Sequence, residues 1–240
     1  MLSVIHVDAV CVISPHLDDA VFSCGDLLAA CADAPNRSTV LTVLAGLPPP
    51  SISLTWYDER CGFETSDEAV RTRWTEDDNA LAALNTVSVR MAEQDSQYAP
   101  LPEPEALALR LRDSLAAIQD SVDTVVIPMG LFHCDHECVA DACVALMKSK
   151  TGAVRWVAYE DVLYRRRHGV LQQRLVALFQ NGVTATPITL LGPAQTIDSP
   201  PHAEAKRRAV QCYQTQLREL SMSAGGDETS PERYWLLSLT

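Results

Sequence analysis

The sequence predicts an α/β fold: a single Rossmann-like domain with a mainly parallel sheet and helices on both faces. Short apolar segments rich in β-branched residues recur along the chain, and segments with helical periodicity separate them. Strands that alternate with helices form βαβ units, which build parallel sheets. No linker, internal repeat or change of composition divides the 240 residues, so we expect one domain over 1–240.

The predicted elements follow one another in a regular order. Strands are expected at 8–14, 38–45, 87–91, 123–128, 154–159 and 184–191. Helices are expected at 19–32, 66–84, 103–119, 138–147, 169–179 and 202–220. Ser66 is the predicted cap of the second helix. The segment 46–65 contains three consecutive prolines and is predicted to be a functional loop, and a Gly-Gly-Asp-Glu loop at 225–228 precedes a short apolar end at 234–239.

Composition excludes several classes of partner. Nineteen basic residues face thirty-one acidic ones, and this net charge of -12 speaks against nucleic acid and against anionic membranes. No apolar run approaches the roughly 20 residues that span a bilayer, and the first residues lack the features of a secretion signal. The eight cysteines contain no Cys-x-x-Cys pair and are read as reduced thiols. We expect a cytoplasmic protein; the sequence leaves a homo-oligomer open.

Two polar clusters follow the two strongest predicted strands. Ser14–Asp19 comes directly after the strand 8–14, and Gly130–His136 comes directly after the strand 123–128. In sheets of this class, ligands bind beyond the carboxyl ends of the strands. We therefore expect the two clusters to lie at the same rim of the sheet and to form one site.

The residue types in these clusters predict a catalytic zinc site. His16, Asp19 and His136 provide two imidazoles and one carboxylate, and catalytic zinc sites use such ligands with one position left for water. Asp18 lies beside the metal without having to bind it. It is therefore the candidate that takes a proton from the attacking water.

Two further residues of the second cluster have predicted roles. His133 stands three residues before His136 and can point at the same substrate carbonyl. Asp135 can hold one of the imidazoles through a hydrogen bond, as carboxylates behind metal ligands do. Taken singly, the first cluster could be a helix cap and the second an ordinary surface loop. Their joint occurrence after two core strands favours the metal site.

These residues resemble the motifs of the LmbE-like, or PIG-L, superfamily of zinc-dependent N-deacetylases. The superfamily motif Pro/Ala-His-Pro-Asp-Asp is matched by Pro15–Asp19, and the motif His-Pro-Asp-His by His133–His136. The resemblance implies that the first His, the second Asp and the last His bind Zn²⁺. These positions are His16, Asp19 and His136.

The resemblance also implies roles for the remaining motif residues. Asp18 becomes the general base, and His133 stabilises the oxyanion or protonates the leaving amine. Leu17 and Cys134 depart from the pattern, because the superfamily usually has proline at both positions. Neither is a ligand of the implied site, but Cys134 could either compete for a soft metal or point away.

Weaker likenesses extend the resemblance from about residue 9 to about residue 217. Arg73–Glu76 matches an Arg-x-x-Glu pattern whose Arg often faces the substrate, and 206–216 is similar to a helix near the end of the superfamily domain. Asp95 resembles an acid that contacts the sugar in relatives; the alternative is an aspartate that forms a turn. The segments 46–65 and 164–168 are expected to shape the pocket.

The implied function is a zinc-dependent hydrolase that removes an acetyl or other acyl group from the amide nitrogen of a small molecule. The expected substrate is a glycoside, an amino sugar or a related metabolite. One alternative is an amidase that acts on a thiol conjugate or a larger acyl amide. An alternative of a different class is a non-catalytic member that binds a small molecule or a partner. Such a member would lack the general base or one of the metal-binding residues. Two-metal phosphoester hydrolysis would need more ligands than the clusters offer.

Overall fold

A computed structural model describes residues 2–118, 122–149, 154–223 and 231–240. In these residues the strands are β1 (Ser3–His6), β2 (Val10–Ser14), β3 (Thr39–Thr42), β4 (Val87–Arg90), β5 (Thr124–Pro128), β6 (Arg155–Tyr159), β7 (Val183–Leu191) and β8 (Tyr234–Leu239). The helices are α1 (Asp19–Ala30), α2 (Trp56–Arg60), α3 (Ser66–Ala83), α4 (Pro104–Ala116), α5 (Cys134–Ser149), α6 (Val170–Gln180), α7 (Ala203–Val210) and α8 (Gln214–Ser223). None of the helices in this described part is long and apolar enough to cross a membrane. The predicted helix end at Gln119 and the predicted loop at 225–228 lie outside the described residues.

The strands form one sheet in the order β1-β7-β8-β6-β5-β2-β3-β4. Neighbours are parallel except for β8, which runs antiparallel to β6 and β7. The order reverses at β2, because the chain continues to β3 and β4 on one side and later returns to β5 on the other. Such a reversal opens a crevice beyond the carboxyl ends of the two adjoining strands. The ends of β2 and β5 are therefore the place where this topology favours a ligand site.

The central strand β2 contributes to a hydrophobic core on each face of the sheet. Cys11 and Ile13 pack with residues of α4, α5 and α6, whereas Val10 and Val12 pack with residues of α1, α3 and α7. Every residue of β2 is buried, as is usual for a parallel strand covered on both faces. The predicted α/β class, with a mainly parallel sheet and helices on both faces, is confirmed.

Helix α5 begins at Cys134 rather than at the predicted Cys138. Apolar periodicity starts only at Cys138, because the first turn faces the rim of the sheet instead of the core. The acids Asp135 and Glu137 lie in that first turn, where they interact favourably with the amino end of the helix dipole. The second polar cluster is consequently divided: residues 130–133 precede the helix, and residues 134–136 lie in its first turn.

The long helix predicted over 202–220 is interrupted: α7 ends at Val210 and α8 begins at Gln214. Tyr213 lies at the interruption and is fully buried. Its hydroxyl donates to Asp77 at 2.8 Å, and its ring meets that of Phe22 edge-on at 5.4 Å. The break thus places a large polar-tipped side chain in the core beside α1 and α3.

Four short features differ from the sequence prediction. The segment 46–65 contains α2, whose first turn is capped by the Thr55 hydroxyl, and a helix this short has no detectable periodicity. Thr65, rather than Ser66, caps α3 by accepting the N–H of Glu68. Strand β1 was not predicted because it is a short, mostly exposed edge strand. The apolar end at 234–239 forms β8 between two earlier strands.

Candidate metal centre

The ends of β2 and β5 bring the three predicted metal ligands together. Nδ1 of His16 lies 3.2 Å from Oδ2 of Asp19, and Nε2 of His136 lies 3.2 Å from the same oxygen. All three atoms lie within 4.8 Å of one another. His16 follows β2, Asp19 opens α1 and His136 lies in the first turn of α5, so the pairing of β2 with β5 produces their convergence.

His136 is held by Asp161, which the sequence analysis did not single out. Oδ1 of Asp161 accepts the proton on Nδ1 of His136 at 2.6 Å, and Oδ2 accepts the backbone N–H of Leu131 at 2.9 Å. Asp161 is 1% exposed. Because Nδ1 donates to Asp161, Nε2 is the ring nitrogen that faces Asp19 and is available to a metal.

His16 is held in the same way by Asp135. Oδ2 of Asp135 accepts the proton on Nε2 of His16 at 2.9 Å, and the same oxygen receives the backbone N–H of Ser96 at 3.3 Å. The lone pair of Nδ1 therefore faces Asp19. Metal-binding histidines commonly donate their second N–H to a carboxylate, which fixes the tautomer and the ring orientation. Asp135 thus occupies the place predicted for it beside an imidazole.

The arrangement fits a divalent cation. Two imidazole nitrogens and a carboxylate oxygen lie together here, and positive charge among them, from protons or from a metal ion, stabilises this arrangement. Nε2 of His136 is buried and makes no hydrogen bond, although it lies 3.2 Å from Asp19. A metal ion would satisfy this atom. Two imidazoles and one carboxylate also form the protein ligand set of several catalytic zinc sites.

The surrounding carboxylates change the proton affinity of both imidazoles. Burial favours neutral His136, but Asp19 and Asp161 outweigh burial and raise its pKa to about 9. Burial likewise opposes protonation of His16, whereas the hydrogen bonds to Asp135 and Asp19 raise its pKa well above the ordinary value. A cation that binds here must displace these protons, so metal binding and proton release are linked.

Asp18 lies at the N-cap position of α1 but does not cap the helix. Its side chain is 6% exposed and makes no capping hydrogen bond. Burial, followed by the neighbouring charge of Asp19, raises the pKa of the Asp18 carboxyl above its ordinary value. The helix-cap alternative is therefore not realised, and the carboxylate lines the cleft beside the ligand set.

His133 lies on the outer side of the centre as a potential hydrogen-bond donor. Its Nδ1 accepts the backbone N–H of Asp135 at 3.3 Å, so the proton of the neutral ring is on Nε2. The ring stacks on Tyr164, with centroids 5.8 Å apart and planes at 25°. Burial and then the charge of His16 lower the pKa of His133.

The ligand set opens into a cleft of about 510 Å³, a volume typical of small-molecule sites. The segment 46–65 contributes Trp56 and Tyr57 to the wall, and the segment 164–168 contributes Tyr164 and Arg167. Both segments that were predicted to shape the pocket therefore line it.

Arg73 lines the cleft, but its charge is already paired. The side chain is 5% exposed, and Nη2 lies 2.8 Å from Oδ1 of Asp58 on α2. Tyr98 accepts from Nη1 at 3.4 Å and donates to Oδ2 of Asp58 at 2.8 Å. The guanidinium also lies 5.4 Å from the ring centre of Tyr57. These contacts anchor α2 against α3, while contact of Arg73 with substrate stays a prediction.

Asp95 forms a turn, which is one of the two alternatives predicted for it, and contact with a sugar stays a prediction. Its Oδ1 accepts the backbone N–H of Gln97 at 2.9 Å, which is the hydrogen bond of an Asx turn. Its Oδ2 lies 3.6 Å from Nε2 of His16, and the side chain lines the cleft. The turn places the carboxylate within reach of a molecule at the centre.

The two weaker family-like segments contact each other instead of the metal centre. Oε1 and Oε2 of Glu76 accept the backbone N–H and the hydroxyl of Thr215 at 2.9 Å and 2.6 Å. Tyr213 donates to Asp77, the residue that follows Glu76. These bonds fix α3 against the break between α7 and α8.

Sequence reasoning missed Asp161 and Asp58. Asp161 comes just after β6, so the rule that selected residues beyond strand ends also applies to it, but no histidine nearby drew attention to that end. Asp58 pairs with Arg73 only because α2 folds over α3, and its local sequence carries no signal of that contact.

The model of the family described as PIG-L: GlcNAc-PI de-N-acetylase matches residues 11–147, which is more than half of the chain and includes both polar clusters. The chain belongs to the PIG-L family. A deacetylase of teicoplanin biosynthesis is 26% identical to this PIG-L protein, with a TM-score of 0.76 over 97% of this chain and 98% of that one. No curated protein sequence matches the chain.

Two further structures share the fold of this PIG-L protein over 97% of this chain and 98% of theirs. The zinc-inhibited form of a teicoplanin deacetylase is 24% identical with a TM-score of 0.72. The A40926 pseudoaglycone deacetylase is 23% identical with a TM-score of 0.69. Family membership and the 26% identical neighbour confirm the predicted class, an amide hydrolase of the amino-sugar N-deacetylase type.

Proposed function

We propose that the protein is a zinc-dependent N-deacetylase whose ion is held by His16, Asp19 and His136. The observation that carries this proposal is the convergence of two imidazole nitrogens and one carboxylate oxygen at the wall of an open cleft. Imidazole and carboxylate ligands suit zinc, and its catalytic sites are commonly built from three such side chains. When bound, zinc acts as a Lewis acid that polarises a carbonyl and lowers the pKa of water to roughly 7.

Asp18 is the proposed general base. It takes a proton from the attacking water as the water oxygen bonds to the amide carbon. The carbon–nitrogen bond then breaks, its electron pair remains on nitrogen, and Asp18 returns the proton it took, which completes the free amine. The other product is the carboxylic acid, which is acetic acid when the acyl group is acetyl. Positioned proton transfer of this kind contributes about 10²–10⁴-fold to a rate.

His133 is the proposed donor to the oxygen that becomes negative during attack. The N–H of Asp135 occupies Nδ1 of His133, so Nε2 carries the donor proton. A donor aimed at such an oxyanion is worth about 2.7–4 kcal/mol. Tyr164 keeps the imidazole in place by stacking, whereas Asp135 and Asp161 orient the two metal-binding imidazoles.

The proposed substrate is an N-acylated amino sugar that is part of a larger glycoside. This choice draws on the teicoplanin-pathway deacetylase at 26% identity and on the cleft volume. In this proposal Asp95 accepts a hydrogen bond from a sugar hydroxyl, because it lines the cleft, and Arg73 supports the wall of the cleft through its pairing with Asp58. The eight free cysteines suit a reducing compartment, so we propose a cytoplasmic location.

The test is an assay of the zinc-loaded protein against a panel of N-acetyl and longer N-acyl amino-sugar glycosides, with release of free amine as the readout. We expect turnover of at least one glycoside, and loss of turnover when a chelator removes the metal. Hydrolysis of thiol-conjugate amides alone would favour the amidase alternative. Binding of a glycoside without any hydrolysis by the zinc-loaded protein would overturn the proposed activity.

A further inference from the structure

A second cluster of metal-binding atoms lies beside the proposed zinc centre. His133, Cys134 and Asp135 each offer one ligand atom, and these three atoms lie within 4.8 Å of one another. Oδ1 of Asp135 is 3.1 Å from Sγ of Cys134 and 3.7 Å from Nδ1 of His133. Tetrahedral zinc with sulfur, nitrogen and oxygen ligands at their usual bond lengths separates these atoms by roughly 3.3–3.7 Å. The observed spacing is close to that of a bound ion.

The cluster is open to solvent at Cys134 and His133, whereas Asp135 is buried, and Nδ1 of His133 is a hydrogen-bond acceptor. Cys134 is exposed, whereas the other seven cysteines are buried or half-buried, and the His133 side chain is 37% exposed. Nδ1 of His133 accepts the backbone N–H of Asp135 at the long distance of 3.3 Å, so this nitrogen carries a lone pair that an ion could take over from the N–H. The thiol stands where the motif that this segment resembles usually has proline.

We propose that His133, Cys134 and Asp135 form a second, sulfur-containing site for a soft divalent cation such as zinc or cadmium, and that an ion there inhibits the enzyme. Thiolate, imidazole and carboxylate together favour such ions over magnesium or calcium. On binding, the thiol proton leaves to solvent and Sγ bonds the ion. The inhibitory part rests on the proposed function, whereas binding of the ion does not.

Inhibition follows from what the two outer ligands do for the proposed reaction. An ion on Nδ1 of His133 replaces the backbone N–H of Asp135 as the partner of that nitrogen, and so shifts the ring whose Nε2–H is the proposed oxyanion donor. The same ion draws charge from Asp135, whose other oxygen holds Nε2 of His16 at 2.9 Å. Occupation of the outer site therefore weakens both the donor and the orientation of a zinc ligand.

A different cluster, formed by His16, Asp95 and Asp135, also meets the distance criterion. It is a poorer site, because Nε2 of His16 already donates its proton to Asp135. An ion there would require His16 to lose that proton while its Nδ1 also serves the inner centre. An imidazole that bridges two cations in this way must be fully deprotonated, which is costly near neutral pH.

The test is a cadmium titration of the protein loaded with one zinc per chain, followed by the thiolate-to-cadmium charge-transfer band and by activity. Because the inner ligands contain no sulfur, this band reports only a cysteine site. We expect one equivalent to produce the band as turnover is lost. In Cys134→Ser the band should vanish and the inhibitory concentration should rise by about tenfold or more, since a hydroxyl is a far weaker ligand for a soft ion.

Cys212→Ser is the matched control, and it should keep both the band and the inhibition. Activity without added cadmium should be equal in the two variants and in the unaltered protein. A band that persists in Cys134→Ser, or no band in the unaltered protein, would overturn the site. Equal inhibition with and without Cys134 would overturn the inhibitory role. The band can be measured even if no substrate is hydrolysed, so failure of the proposed function is distinguishable.

Discussion

Oδ1 of Asp161 lies 2.6 Å from Nδ1 of His136, and this contact determines which ring nitrogen faces the candidate metal centre. The other carboxylate oxygen is occupied by the N–H of Leu131, so the carboxylate cannot rotate away without losing a bond. The pair joins the end of β6 to the first turn of α5. A residue that is not itself a ligand therefore orients one of the three ligands.

Replacement of Asp161 tests this orientation. In Asp161→Asn the single side-chain oxygen can accept a hydrogen bond from either His136 or Leu131 but not from both. The NH₂ group then faces the other N–H donor. We expect zinc affinity to fall about 10–100-fold, as for other carboxylates behind zinc-binding histidines. Competition with a chromogenic chelator measures the change. Asp141→Asn, on the partly exposed side of α5, is the control and should bind zinc normally; equal affinity in both variants would contradict the role of Asp161.

Asp18→Asn separates catalysis from metal binding. The amide is nearly isosteric but cannot take a proton, so we expect kcat to fall by about 10²–10⁴-fold while one zinc per chain is retained. Metal analysis and free-amine release on the same sample give the two values. Asp113→Asn, at a highly exposed position of α4, should change neither value. Substantial turnover by zinc-loaded Asp18→Asn would rule out Asp18 as the base.

Arg73 is expected to contribute mainly to stability. Arg73→Met leaves the buried carboxylate of Asp58 without its partner, so the free energy of unfolding should fall by about 3–5 kcal/mol. Urea unfolding measures this change. The double variant Arg73→Met with Asp58→Leu should recover much of the loss, because no buried charge is left unpaired. A higher KM with unchanged stability would instead identify Arg73 as a substrate contact only.

The buried carboxyl of Asp77 makes the free energy of unfolding depend on pH. Burial raises its pKa to about 7, above the ordinary value of about 3.9. As the pH rises, the Asp77 carboxyl therefore ionises first in the unfolded chain. Its contribution to the free energy of unfolding is fully present below about pH 4 and is lost as the pH rises to about 7. Asp77→Asn keeps an acceptor for Tyr213 and removes this loss. The variant should therefore gain in unfolding free energy relative to the unaltered protein between pH 4 and pH 7; a constant difference would contradict the raised pKa.

The candidate ligands could be predicted from sequence because two local features coincided. Each cluster combined chemically distinctive residues with a position just beyond a buried strand, and the β2–β5 pairing of a reversed sheet order brought them together. Asp161 follows the same positional rule, but an acid after a strand is common and carries little information by itself. The Arg73–Asp58 pair and the helix break at Tyr213 depend on contacts between distant segments, which periodicity does not encode.

The most direct measurement of the central claim is anomalous diffraction at the zinc edge from crystals of the protein loaded with one zinc per chain. We expect a single peak about 2.0–2.2 Å from Nδ1 of His16, a carboxylate oxygen of Asp19 and Nε2 of His136. At one equivalent of zinc per chain, no zinc should be bound to Sγ of Cys134. A peak bonded to Sγ of Cys134, or one that leaves either His16 or His136 uncoordinated, would contradict the proposed centre.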